Sequence, residues 1–220
     1  MKKLALLLFG LSYKKYKHFT RKQYFVNYEL SIENYKKYIY EYFIKLGYSI
    51  DVFFVTNISN EQIQNEIINT YQPKKYLFTD NLDIQNVNKI PDNTFSRNLR
   101  FKQVIDLFID YTIENNTSYD HCIITRFDLL FQKDFELSNI NFDIINIVSV
   151  LEHKNVICDN FYLFPYKHIN EFQKLATDNL NINYHCIENK INKIDKINFI
   201  LSEYKHIINL SFYKIVRTYF

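Results

Sequence analysis

Glycine is almost missing from this 220-residue chain, which has only Gly10 and Gly47. Two isolated glycines cannot form a G-x-G-x-x-G turn or a Walker A loop, so dinucleotide-binding dehydrogenases and P-loop kinases are excluded. Sugar-nucleotide pyrophosphorylases, which need a glycine-rich N-terminal loop, are excluded with them. Any phosphate must be held by side chains, a metal or a helix N-terminus. Cysteine is scarce as well: Cys122, Cys158 and Cys186 are odd in number and form no C-x-x-C pair. A disulfide framework and a structural zinc site are therefore not expected, and a reducing, cytoplasmic setting fits the usage. No stretch approaches the ~20 apolar residues of a membrane span. The net charge of +3 is too small to argue for a nucleic-acid partner.

What is present reads as an α/β pattern. Met-Lys-Lys followed by the apolar residues 4–9 mimics a secretion signal, but that stretch stops within about eight residues and no small-residue cleavage site follows. It reads instead as a buried first strand. Residues 32–46 have helical periodicity and stop at Gly47, a position suited to a helix C-terminus. Residues 49–56 read as a strand, 61–71 as a helix and 75–79 as a short strand, followed by a polar loop over 81–94. Ser96 is placed to cap a long helix from residue 97 to about 115, with Phe101, Val104, Ile105, Phe108 and Ile109 on its apolar face. Strands are expected over 121–125, 142–151 and 155–163, a helix over 168–180, and edge pairing in the tail 207–220. Strands alternating with helices imply one domain over 1–220, with a mostly parallel central sheet and helices on both faces.

The most informative segment is Tyr119-Asp120-His121-Cys122-Ile123-Ile124-Thr125-Arg126-Phe127-Asp128-Leu129. An apolar strand there ends in a charged R-F-D. In an open parallel sheet ligands bind beyond the carboxyl ends of the strands, so Arg126 and Asp128 are candidate ligand-facing groups. A salt bridge that merely closes the strand is the structural alternative. Arg97 and Arg100 lie at i, i+3 on the preceding helix. Gly10 allows a close turn after the first strand, and Tyr13 can stack on a planar ligand there. The cluster Lys14, Lys15, Lys17, Arg21 and Lys22 reads as a solvated loop or as a cover over phosphate.

With Y-D upstream and R-F-D-L downstream, the segment resembles the nucleotide-binding strand of GT-A-fold glycosyltransferases. It is similar to transferases of bacterial surface polysaccharides and of large-virus capsid glycans. The resemblance implies a single-domain GT-A-like, Rossmann-like fold. It also implies transfer of a hexosyl group, with inversion at the anomeric carbon, from a nucleoside-diphosphate sugar such as a UDP-sugar to a glycan, glycoprotein or other hydroxyl acceptor. The usual motif is Asp-x-Asp; here Arg126 stands at the first acid, so only Asp128 carries over. The resemblance places the donor near Gly10, Tyr13, Thr79, Asp80, Arg97, Arg100, Arg126 and Asp128. It puts Mn²⁺ or Mg²⁺ on Asp128, with the late His185 as a second ligand. Asp159, in Cys158-Asp159-Asn160-Phe161, matches the position of the acid that activates the acceptor, with an Asx-turn as the alternative. A non-catalytic nucleotide-sugar or glycan-binding domain of the same fold is the alternative reading.

Overall fold

The computed structural model describes residues 1–17, 23–80, 93–132, 134–135, 139–149, 157–181, 188–200, 203–206 and 217–218. The chain begins with β1 (Lys2–Gly10) and a hairpin of β2 (Tyr13–Lys17) and β3 (Gln23–Asn27). A helical stretch follows as α1 (Tyr28–Tyr35), a π-helical turn (Lys36–Tyr40) and α2 (Glu41–Lys45). Next come β4 (Tyr48–Asn57), α3 (Glu61–Tyr71) and β5 (Lys75–Thr79). The second half contains α4 (Asn93–Glu114), β6 (His121–Arg126), β7 (Leu129–Phe131), β8 (Ile145–Ser149) and β9 (Ile157–Pro165). It closes with α5 (Ile169–Asp178), α6 (Glu188–Ile191), β10 (Ile197–Ile200), β11 (Glu203–His206) and β12 (Arg217–Thr218).

The fold is mixed α/β and Rossmann-like, built on a seven-stranded sheet of order β10-β8-β9-β6-β1-β4-β5. β1 lies between β4 and β6 and is parallel to both, with Leu4 opposite Ile50 on one side and His121 on the other. β5 continues the parallel run beyond β4. β9 is antiparallel to both β6 and β8, a reversal that alternation of helix and strand does not reveal. A smaller sheet pairs β7 with β11 and β11 with β12.

Burial follows from the strand period of two. Leu4, Leu6 and Leu8 point to one face, where Ile32, Tyr35, Ile39 and Phe43 cover them. Ala5, Leu7 and Phe9 point to the other and meet Phe101, Val104, Ile105 and Phe108 of α4. Burying each such aliphatic or aromatic side chain is worth roughly 1.5–3 kcal/mol, which explains why β1 carries no polar residue between Leu4 and Phe9. The helices begin where the sequence supplies caps. Asn60 Oδ1 accepts from the Ile63 N–H at 2.9 Å, and Asn27 Oδ1 accepts from the Glu29 N–H at 3.0 Å.

Several expectations change. The helix placed over 32–46 starts earlier, at Tyr28 behind the Asn27 cap, and contains the π-helical turn. Ser96 is not a cap: α4 begins at Asn93, and the Ser96 hydroxyl lies inside the helix, where it accepts from Arg100. The strand placed over 142–151 starts later, at Ile145, because Asn141 and Asp143 form a side-chain-closed turn ahead of it, and residues 150 and 151 lie outside the described residues. Part of the basic cluster is a hairpin strand, since Lys14, Lys15 and Lys17 all lie in β2. Residues 81–92 of the polar loop lie outside the described residues, as does most of the tail, of which Arg217–Thr218 pairs with β11. Among the described residues no helix is long and apolar enough to cross a membrane.

His121, at the start of β6, makes this fold sensitive to acid. Its Nε2 lies 2.8 Å from the Phe142 carbonyl and its Nδ1 2.9 Å from the Tyr48 hydroxyl. A carbonyl can only accept, so the neutral ring donates from Nε2 and accepts at Nδ1. Burial is the main cause holding its pKa below the ordinary 6.5. Below that pH the unfolded chain binds the proton more readily than the folded one, so stability is full above about 6.5 and falls as the pH drops. The urea midpoint should decline between about pH 7 and pH 5, and His121→Gln should flatten that decline. Equal pH slopes for the two proteins would contradict this.

Candidate functional site at the sheet switch point

Sheet order reverses at β1: the chain first builds outward through β4 and β5, then returns to place β6 on the other side. At such a reversal the loops leaving two adjacent strands diverge and open a crevice at their carboxyl ends. Here those loops are Gly10–Tyr13 after β1 and Arg126–Asp128 after β6, with Phe9 and Arg126 in register.

The turn after β1 is shaped by Gly10, whose φ of +98° disfavours any side chain, and a Cβ there would meet no atom within 4 Å. Thr56, which pairs with Gly10 at the end of β4, ties the turn down. Its hydroxyl donates to the Gly10 carbonyl at 2.8 Å and accepts from the Ser12 N–H at 3.0 Å. Asn57 Nδ2 donates to the Tyr13 carbonyl at 2.9 Å, and the Tyr13 ring leans on Tyr28 with centroids 6.3 Å apart. Thr79, at the end of β5, donates from its hydroxyl to the Thr56 carbonyl at 3.2 Å. Asp80 follows it, exposed.

The R-F-D segment is held from both sides. Phe127 is fully buried, edge-on to Phe54 at 5.5 Å and Tyr71 at 5.2 Å, while its N–H donates to the Phe9 carbonyl at 3.2 Å. The Tyr35 hydroxyl donates to the Arg126 carbonyl. Burial, with smaller contributions from Tyr71 and Asp128, pushes the Tyr35 phenol well above its ordinary pKa, so it keeps the proton it donates. Asn34 bonds Phe131 twice, accepting from its N–H at 2.7 Å and donating to its carbonyl at 2.9 Å, as a neighbouring strand would.

Between these anchors Arg126 and Asp128 meet as a bidentate pair. Nε reaches Oδ1 at 2.7 Å and Nη2 reaches Oδ2 at 2.6 Å, with Asp128 fully buried and the Arg126 side chain 18% exposed. Arg100 is buried beside them, donating to the Thr79 hydroxyl and the Ser96 hydroxyl, each at 3.4 Å. Burial first, and then the Arg126 charge, lower the Arg100 guanidinium to about 10, so it stays charged at neutral pH. Two guanidinium groups and one carboxylate thus lie near one another at the carboxyl ends of β5 and β6, an arrangement suited to a phosphate-bearing anion.

The expected site residues divide. Gly10, Tyr13, Thr79, Arg100, Arg126 and Asp128 surround the switch point through the contacts above. Arg97 engages a different neighbour: its Nη2 donates to Asn98 Oδ1 at 3.3 Å, and Asn98 in turn donates to the Leu180 carbonyl beyond α5 at 3.0 Å. Asp159 lies in β9, two residues before Phe161, the partner of Thr125, which sets its backbone at the same end of the sheet as R-F-D. His185 lies outside the described residues. The residues as placed do not fit Mn²⁺ or Mg²⁺ on Asp128, since hard cations need carboxylate oxygens and both of these accept from Arg126. Among the described residues no cluster of three His, Cys, Asp or Glu is placed to hold a metal. Ser12, Tyr35, Asn34, Thr56 and Asn57 escaped sequence reading. The Thr-Asn pair closing an apolar strand opposite Gly10 was the one available signal among them.

Removing one member of the buried pair should cost more than removing both. Arg126→Leu leaves the Asp128 carboxylate buried without its bidentate partner and should cost about 3–5 kcal/mol, whereas Arg126→Leu with Asp128→Asn should recover a large part of it. Urea denaturation of the two single variants and the double variant checks this; additive losses would show that the pair is not energetically coupled.

No family model and no curated protein matches the sequence. Among solved structures, the chain is similar to the crystal structure of a glycosyltransferase involved in the glycosylation of the major capsid of PBCV-1. The likeness has a TM-score of 0.44 and 8% sequence identity, and covers 89% of this chain and 81% of that one.

Proposed function

We propose that this chain is a glycosyltransferase that takes a sugar from a nucleoside-diphosphate sugar, a UDP-sugar in the first instance, and moves it to a hydroxyl on a glycan or glycoprotein. The observation that carries this reading is the convergence of Arg100, Arg126 and Asp128 at the carboxyl ends of the strands, beside the Gly10 turn. A diphosphate leaving group gains negative charge as its bond to the sugar breaks, and fixed guanidinium groups stabilise that charge. The nucleoside then occupies the turn Gly10–Tyr13, and Thr79 and Asp80 border it. In this reading Asp159 acts as the general base. It takes the proton of the acceptor hydroxyl while that oxygen attacks the anomeric carbon and the bond to the diphosphate breaks, which inverts the configuration.

A binding domain without turnover is the second reading. It is favoured by one observation, that Asp128 is already committed to Arg126. Incubation with radiolabelled UDP-sugars separates the two, since only the enzyme releases UDP or labels an acceptor.

Charge-assisted contacts to phosphate contribute about 1.5–3 kcal/mol each, so Arg100→Ala should weaken UDP binding tenfold or more by calorimetry. Unchanged affinity would remove the donor from this crevice. Asp159→Asn keeps the shape of the side chain and removes the base. Its transfer rate should fall 10²–10⁴-fold, on the order typical for a general base, while UDP affinity stays near that of the parent. A rate within a few-fold of the parent, or an affinity that falls in step with the rate, would rule Asp159 out.

A further inference from the structure

We propose that Arg126 itself supplies the cation at the diphosphate, so that donor binding needs no divalent metal and Asp128 is a positioning residue rather than a metal ligand. This inference rests on the donor reading above and specifies how that site is charged.

Three observations support it. The first is the geometry of the pair: both Asp128 oxygens accept from the same guanidinium, at 2.7 and 2.6 Å. A divalent ion at this carboxylate would have to displace a planar fork that already matches it. The second is that the fork has little freedom to leave. Phe127, between the two charged residues, is locked into the core between Phe54 and Tyr71, and the Arg126 carbonyl is held by the Tyr35 hydroxyl. The backbone on both sides of the pair is therefore fixed by groups that take no part in the ion pair. The third is exposure. Asp128 is fully buried, whereas the Arg126 side chain keeps 18% of its surface open, so the exposed member of the pair is the cation.

The distribution of roles follows from these facts. A guanidinium has five N–H donors, and the bidentate grip on Asp128 uses two of its nitrogens, Nε and Nη2. The carboxylate holds the guanidinium plane in place, and the exposed part of the Arg126 side chain is the part that a phosphate can approach. Arg100, beside Thr79 and Ser96, supplies a second positive group close enough to feel the Arg126 charge. Arg126 thus stands at the position of the first Asp-x-Asp acid, with Arg100 of α4 as a second side-chain cation, and neither requires loading from solution.

The full-length chain tests this in two independent measurements. In calorimetry, UDP should bind the parent with affinities that agree within about threefold in excess EDTA and in Mn²⁺. A tenfold or greater loss in EDTA overturns the proposal. In a titration of Mn²⁺ alone, followed by its electron paramagnetic resonance signal, the parent should leave the ion free. Arg126→Asp, which puts two carboxylates at i, i+2, should bind it, and adding Asp128→Asn should release it. Mn²⁺ bound by the parent and lost in Asp128→Asn overturns the proposal without reference to any nucleotide. If UDP binds the parent under neither condition, the donor reading fails, and the Mn²⁺ titration still decides which cation Asp128 takes. If Arg126→Asp does not fold, the two measurements on the parent and on Asp128→Asn remain decisive.

Discussion

The first strand must be covered on both faces, and the rest of the molecule is arranged around that requirement. Every residue from Leu4 to Phe9 is fully buried, with alternate side chains pointing to opposite faces. A strand of this kind is stable only at the centre of a sheet with helices above and below. β4 and β6 take the two edges of β1, the helices of the first half cover one face, and α4 and α5 cover the other. The reversal of strand order beside β1 follows, because its second edge is filled by β6, a strand that comes after β4 and β5 in the chain. The switch point at the carboxyl end is a consequence of the buried strand at the centre.

What occupies that crevice is set by the lack of glycine. A glycine-rich loop would offer a phosphate a row of backbone N–H groups; here Gly10 makes one turn, and side chains supply the rest. Thr56, Asn57 and Thr79 satisfy the polar backbone of the turn and the strand ends. Arg100 and Arg126 bring the charge. These side chains are held in turn, and the holding partners come from far along the chain: Tyr35 and Asn34 from α1 act on the segment from Arg126 to Phe131.

Local pattern made part of this legible and left the rest hidden. The strands around Leu6, Val52 and Ile123 and the helix around Ile67 could be read because continuous or periodic burial leaves a one-dimensional trace. R-F-D stood out because charge interrupts an apolar run. The antiparallel direction of β9 left no trace, since a buried strand has the same composition in either direction. The hairpin before α1 was obscured by lysines, which sequence reading assigns to solvent. Ser96 looked like a cap because serine favours that position, yet the helix starts three residues earlier. Tyr35 and Asn34 were invisible for another reason: their partners lie more than ninety positions away, at sequence separations of 91 and 97.

The Arg126–Asp128 pair is the one part of the site that stability alone does not explain. Taking two charges out of water costs several kcal/mol per ion, and buried pairs are often replaced by well-packed apolar residues with no loss. The surroundings here are apolar enough to accept such a replacement, with Phe127 already between Phe54 and Tyr71. A chain under selection for stability alone gains little from keeping this pair at the switch point, and placing a second guanidinium, Arg100, close enough to feel its charge adds a further cost. That cost has a physical return only when an anion arrives. On the donor reading proposed above, a diphosphate beside the two guanidinium groups would offset their mutual repulsion. The buried charges are thus what the proposed donor site requires, and apolar packing alone does not account for them.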